Sequence, residues 1–194
     1  MNTSQQGIEL IKKFEGLHDG DLSMIGLQPK MCPAGYWTEG YGTLVLDNKG
    51  CRIKGIENKQ KAYKFSRIHT VEQAEDCLKK DLQKFEHFVG MLLQGCKWFD
   101  ESNTKSATDT TDIFLVTKSQ CRFDALVSFC YNVGFENLKR STLLKKIKVN
   151  PNDSSIATEF LRWNKSDGKV LLGLTRHRQT ESDLYFQKLI KNYE

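Results

Sequence analysis

Apolar positions along this chain recur with two periods. Ile8, Ile11 and Phe14, with Leu10 beside them, share one helical stripe. Ser4 stands where an N-cap belongs and Gly16 where a helix stops, so a helix over 4–15 is predicted, closing on Glu15. Periodicity is then lost over 17–31, where Gly20, Gly26 and Pro29 are breakers, and a long irregular loop is expected. From Tyr36 to about Ile53 the spacing tightens to strand alternation. YWTEGYGTLVL leads into a turn at Asp47–Gly50 and then into Cys51, Arg52 and Ile53.

The rest of the chain is helical in pattern. Thr70 and Gln73 form a capping box ahead of Ala74, Cys77, Leu78, Leu82, Phe85, Phe88, Val89 and Leu92, which predict one long helix linking two lobes. DESNTKSATDTTD, over 100–112, lacks large apolar residues, and an exposed polar insertion over about 100–116 is expected. A second capping signal, Thr117 with Gln120, precedes the apolar CRFDALVSFCYNVG, a helix reaching about Asn132 and stopped by Gly134. Three more helices are predicted, at about 142–149, 155–163 and 175–192. The expected class is α+β, a single domain over 1–194. A small lobe with a β-hairpin spans about 15–70, and a larger helical lobe takes about 71–194 plus helix 4–15.

Composition narrows the partners. A chain of 194 residues buries a core without staples. The six cysteines (Cys32, Cys51, Cys77, Cys96, Cys121, Cys130) include no CxxC pair, and no His stands at zinc-finger spacing. Most of them are expected to be reduced, small apolar residues, and no metal site is expected. The net charge of +5 favours an anionic partner, either nucleic acid, an anionic lipid surface or an acidic wall polymer. Basic residues are scattered over several helices and are not interleaved with stacking aromatics, which argues against nucleic acid. No stretch approaches the ~20 apolar residues of a membrane span, and MNTSQQGIELIKKFEG has neither the charge nor the apolar core of an export signal. A monomeric product, cytoplasmic on synthesis until something releases it, is the expectation.

Several ordered motifs together resemble the phage-type lysozymes, the endolysins of glycoside hydrolase family 24. That family closes its first helix on a Glu, then has an Asp or Cys, then five residues, then the Thr of a WTxGYG hairpin. Glu15, Cys32 and Thr38 match, with Pro33 to Trp37 as the five-residue spacer. QCRFDALVSFCYNVG, STLL (141–144), FLRW (160–163) and GLTRHRQTESDLY (173–185) continue the likeness. It implies a lysozyme-like fold with a cleft between the lobes, hydrolysis of the β-1,4 bond after N-acetylmuramic acid in bacterial peptidoglycan, and no cofactor. By the same resemblance Asn132 bonds a sugar acetamido or hydroxyl group, and Arg176 faces the catalytic Glu. Three departures stand out. Sixteen residues separate Glu15 from Cys32, a longer gap than usual. Thr43 stands where a His commonly follows GYG, in place of a structural ion pair, and Glu39 takes a position that is generally apolar.

The chemistry agrees with that likeness. Breaking a glycosidic bond needs a proton for the leaving oxygen and a nucleophile at an oxocarbenium-like carbon. A partly buried Glu15 at a helix C-terminus is pushed toward its protonated form, as an acid requires. The Thr38 hydroxyl is suited to orient a water, or serves only hairpin packing. A free thiol titrates near ~8.5, so Cys32 is a poor base and either places the water or packs as a small apolar residue. Asn132 and Arg176 also have ordinary readings, as a helix C-terminal Asn and a solvated Arg. Trp37 and Trp163 fit core packing better than sugar stacking. Two rival readings remain: a lytic transglycosylase using Glu15 alone to close an anhydro ring, and a wall-binding protein of the same fold without turnover.

Overall fold

The computed structural model describes residues 1–104, 110–166 and 168–187, with side chains outside 103–116. The chain divides into two compact units, one of residues 15–81 and one of residues 1–14 with 82–194.

Helix α1, Gln5–Glu15, buries Gly7, Ile8, Leu10 and Ile11, the residues of the predicted stripe. The Ser4 hydroxyl accepts from the Gly7 amide at 3.3 Å, and the chain leaves the helix through Gly16 at φ +71°. That left-handed conformation costs a glycine little.

The unit of residues 15–81 is built on a three-stranded antiparallel sheet: β1 (Lys30–Met31), β2 (Trp37–Glu39) and β3 (Thr43–Leu44). Its register pairs Lys30 with Thr38 and Met31 with Trp37 on one side, and Thr38 with Leu44 and Glu39 with Thr43 on the other. The loop expected over 17–31 is therefore irregular only as far as Pro29. Its last two residues pair as β1, which a two-residue strand cannot announce by alternation. The loop is also pinned near its start, where the His18 amide donates to the Gly40 carbonyl at 2.7 Å. Leu22 and Ile25 in this loop are exposed, while Leu27 and Gln28 are buried.

Behind the sheet, Trp37, Val45, Ile53 and Ala62 form a small core with Tyr63 and Phe65 against it. Burying the indole requires a partner for its N–H, and Trp37 Nε1 donates to the Gly55 carbonyl at 2.8 Å. Trp37 is thus a core residue. The turn at Asp47–Gly50 forms, with Asp47 Oδ1 accepting from the Lys49 and Cys51 amides at 3.0 and 2.9 Å. Helix α2, Lys59–Phe65, follows a short 3-10 turn at Ile56–Asn58.

Helix α3, Val71–Leu93, starts with the predicted box: the Gln73 amide donates to Thr70 Oγ1 at 3.2 Å, and Gln73 Oε1 accepts from the Thr70 amide at 3.3 Å. Next come α4 (Lys97–Thr104) and α5 (Thr110–Val133). The insertion expected over 100–116 is accordingly helical at both ends. Residues 105–109 and the side chains of 103–116 lie outside the described residues. The helix predicted to begin at Thr117 begins instead at Thr110, because a helix already anchored by an apolar segment extends through residues that would not nucleate one alone.

In the unit of residues 1–14 and 82–194, α5 is the core, with Phe123, Ala125, Leu126, Val127, Phe129 and Cys130 fully buried. It packs on α4, on α6 (Phe135–Arg140) and on α9 (Leu172–Tyr185). Helix α7, Thr142–Val149, is capped by Ser141, whose hydroxyl accepts from the Leu144 amide at 3.0 Å, and it packs on α8 (Ile156–Leu161). Phe129 meets Phe160 and Trp163 edge-on at 5.5 and 5.6 Å, which places Trp163 in aromatic packing. A hairpin of β4 (Lys165–Ser166) and β5 (Lys169–Val170) separates α8 from α9. Helix α9 starts three residues before the expected 175 and ends at Tyr185, where a turn follows, rather than continuing toward the expected 192.

Candidate active site

Three segments meet at one cavity of about 770 Å³, lined by Glu15, His18, Lys30, Met31, Cys32, Pro33, Gly35, Thr38 and Gly42. Glu15 arrives on the last turn of α1, half-buried. Cys32 sits in the tight turn between β1 and β2, where its amide donates to the Tyr36 carbonyl and its carbonyl accepts from the Gly35 amide, both at 2.8 Å. Thr38 is in the centre of β2 and 5% exposed. The five-residue spacing therefore has a geometric meaning. It is the length of turn that carries the chain from Cys32 back to Thr38 beside Lys30.

Thr38 is held from two sides. Its hydroxyl donates to the Lys30 carbonyl at 3.0 Å, across the β1–β2 ladder, and lies 2.8 Å from His18 Nδ1. Burial first, and then the neighbouring Lys30 charge, push the His18 imidazole below its ordinary 6.5. His18 escaped the sequence reading because it lies in an aperiodic stretch. Only its closeness to Glu15 in the chain hinted at the site.

Residues departing from the family pattern are also accounted for. Glu39, one residue from Thr38 and so on the other face of β2, is 2% exposed. One of its carboxylate oxygens accepts from Ser66 Oγ at 2.7 Å and from the Arg67 and Ile68 amides at 2.8 and 3.1 Å. A buried carboxylate with three donors is a structural brace between the hairpin and the start of α3. Thr43 donates its hydroxyl to Asp81 Oδ2 at 3.0 Å, so a hydrogen bond occupies the place where the resemblance implied an ion pair.

Asn132 and Arg176 belong to the other unit. Asn132 lies in the last turn of α5, and its Oδ1 accepts from Arg178 Nη2 at 3.1 Å. Arg176 is exposed on α9, whereas Arg178, two residues on, is fully buried. Arg178 pairs with Glu181 at 3.1 Å and lies 5.0 Å from the Phe129 ring centroid. Glu181 also accepts from Ser128 at 2.7 Å and lies 3.0 Å from His177, whose ring stacks on Phe14 at 4.2 Å. The charged motif RHRQTE thus supplies internal scaffolding, which a string of polar residues on a predicted surface helix did not suggest.

All six cysteines are free. Cys96, Cys121 and Cys130 are buried, Cys32 and Cys77 are half-buried, and Cys51 is exposed, so the small apolar reading fails for Cys51. Burial pushes the Cys130 thiol up to about 12. Among the described residues no group of three or more His, Cys, Asp or Glu could hold a metal ion, and no helix is long and apolar enough to cross a membrane.

The Phage lysozyme family model matches residues 12–98 and 92–181. An endolysin of Bacillus phage B103 is 35% identical over 192 residues, covering 99% of this chain and 57% of that protein. The chain therefore spans little more than half the length of that relative. An endolysin of Acyrthosiphon pisum secondary endosymbiont phage 1 is 32% identical over 95% of this chain and 98% of its own length. Among solved structures, an endolysin from Escherichia coli O157:H7 phage FAHEc1 superposes with a TM-score of 0.64 at 29% identity, covering 99% of this chain and 98% of that one. Family match, near-complete alignment and the α+β lysozyme-like fold agree, and the chain belongs to the phage lysozyme family.

Proposed function

We propose that this chain is a muramidase of a phage or prophage endolysin. It would be made in the cytoplasm and would hydrolyse the β-1,4 bond between N-acetylmuramic acid and N-acetylglucosamine in bacterial peptidoglycan. The observation that carries this reading is the cavity in which Glu15, Cys32 and Thr38 converge from separate segments. Glu15 donates its proton to the leaving glycosidic oxygen, which turns a poor alkoxide into an alcohol. The Thr38 hydroxyl, fixed by the Lys30 carbonyl and His18, holds a water at the anomeric carbon, and the Cys32 thiol bounds that water's position. Asn132, steadied by Arg178, serves the sugar's acetamido or hydroxyl groups, and the exposed Arg176 serves the anionic parts of the polymer. The protein works as a monomer on the wall and needs no cofactor.

Digestion of purified peptidoglycan by the wild type and by Glu15→Gln, followed by mass spectrometry, tests the reading. The wild type is expected to release reducing muropeptides. The variant keeps the shape of the side chain, loses the transferable proton and should fall by ~10²- to 10⁴-fold while still binding the wall. Retention of more than about a tenth of wild-type activity would refute the assignment of Glu15. Release of anhydro-muropeptides would identify a transglycosylase instead.

A further inference from the structure

Glu39 departs from the family pattern, and only half of its carboxylate is used inside the protein. Oε2 takes all three donors, from Ser66, Arg67 and Ile68. Oε1 accepts from no described residue, yet it is not sealed from solvent, although the side chain as a whole is buried. The solvent it meets fills a second cavity, of about 360 Å³, which Glu39 shares with Arg67, Ile68, Gln73, Asp76 and Lys80. Gln73, Asp76 and Lys80 stand on one face of α3, three and four residues apart, and all three are exposed. Asp76 and Lys80 have the spacing of a helix ion pair but do not make one. Among the described residues no ion pair engages the side chain of Glu39, Arg67, Asp76 or Lys80.

Two carboxylates and two cations, unpaired around one cavity, suit a ligand that carries both charges. A simple cation is repelled by Arg67 and Lys80, and a simple anion by Glu39 and Asp76. We propose that this cavity binds a zwitterionic amino-acid group of the peptidoglycan peptide stem, its ammonium on Glu39 Oε1 and Asp76 and its carboxylate on Arg67 and Lys80. Ile68 adds an apolar wall for the carbons between the two charges. The choice of a peptide stem rests on the glycosidase reading given above. Such stems carry a free amine on their diamino acid and a free carboxylate at their end. Thr38 and Glu39 are neighbours on β2 that face opposite sides of the sheet, and a stem of five residues spans up to about 17 Å. That length passes the edge of a three-stranded sheet, whose strands lie about 4.8 Å apart. A stem whose amine is consumed in a cross-link lacks the ammonium, so the site selects free stems.

The test titrates the nitrogen-15-labelled full chain with the tripeptide acetyl-L-Ala-γ-D-Glu-L-Lys, reading backbone amide shifts. Saturable shifts are expected at Arg67, Ile68 and Gln73 to Lys80. Acetylating the lysine ε-amine, or amidating its carboxylate, should weaken binding about tenfold or more, because each removes a charge-assisted hydrogen bond. Glu39→Gln should weaken it by a similar factor, and Asp76→Asn and Lys80→Gln by about two- to fivefold each, as exposed charges do. Should Glu39→Gln fail to fold, the two substitutions on the exposed face of α3 decide. Shifts confined to other residues, blocked peptides that bind as well as the free one, or Asp76→Asn and Lys80→Gln both binding like the wild type would each overturn the site. Free lysine binding as tightly as the tripeptide would overturn the assignment to a stem. Digestion of peptidoglycan is scored separately. Binding without released fragments refutes the glycosidase reading and not the zwitterion site, whereas fragments without binding refute the site alone.

Discussion

Thr38 shows how much one side chain's setting decides. The hydroxyl is the same in any hairpin threonine, but here it is fixed by a carbonyl across the ladder and a histidine from the preceding loop. The same histidine has a consequence for stability. Its folded-state pKa lies below the ordinary 6.5, so the folded protein binds fewer protons than the unfolded chain over the window just beneath that value. The associated stability is fully present above pH ~6.5 and is lost as the pH falls through the folded-state value. Urea denaturation at a series of pH values should therefore show a larger acid-side loss in the wild type than in His18→Gln. Equal slopes would mean that the ring is not held neutral. At this scale the convergence of Glu15, Cys32 and Thr38 on one cavity was legible, because their spacing encodes a helix end and a hairpin turn. His18 and Arg178 were not, since one sits in an aperiodic loop and the other in a charged motif that reads as solvated surface. Glu39 was noticed only as an anomaly. Its role needs Ser66, Arg67 and Ile68, and no local pattern brings those to it.

Among the elements, the hairpin packs closely against the start of α3. Gly40 follows β2 at φ +57°, and a Cβ there would come within 3.0 Å of Ile68 Cδ1 and 3.3 Å of the Ala74 methyl carbon. Gly40→Ala therefore meets both a left-handed backbone and a crowded wall, and should cost about 1–3 kcal/mol. The check is a lowered urea midpoint at unchanged m-value, and a change under about 0.5 kcal/mol would show that the junction yields easily. Long elements with strong periodicity, α1, α3 and the apolar half of α5, were readable, as was the Thr70–Gln73 cap. Strands of two residues carry too few positions to alternate, so β1 and the β4–β5 hairpin were not. The start of α5 was misread for a different reason: Thr110 to Asp112 lack any apolar signal, and their helicity is borrowed from the anchored segment that follows.

For the molecule as a whole, the net charge of +5 is long-range information that no single contact expresses. On the proposed reading, a chain of this charge is drawn to a polyanionic wall, and that attraction is screened within about 10 Å at 0.1 M salt. Clearance of intact walls should slow severalfold as ionic strength rises from about 0.02 to 0.3 M, while cleavage of a short soluble glycan changes much less. Equal salt sensitivity for both substrates would place the effect in the cavity rather than in the field of the protein. The class of fold and the family were legible over nearly the full length because several motifs recur in order, each tied to a helix end or a turn. The central claim remains chemical: Glu15 supplies a proton and a water, not a sugar hydroxyl, attacks the muramyl carbon. Digestion of peptidoglycan in ¹⁸O-labelled water, read by mass spectrometry, tests it most directly. The account predicts reducing muropeptides that carry one ¹⁸O at the new muramyl end, formed by the wild type and not by Glu15→Gln. Unlabelled anhydro-muropeptides, or labelled products formed equally by the variant, would contradict it.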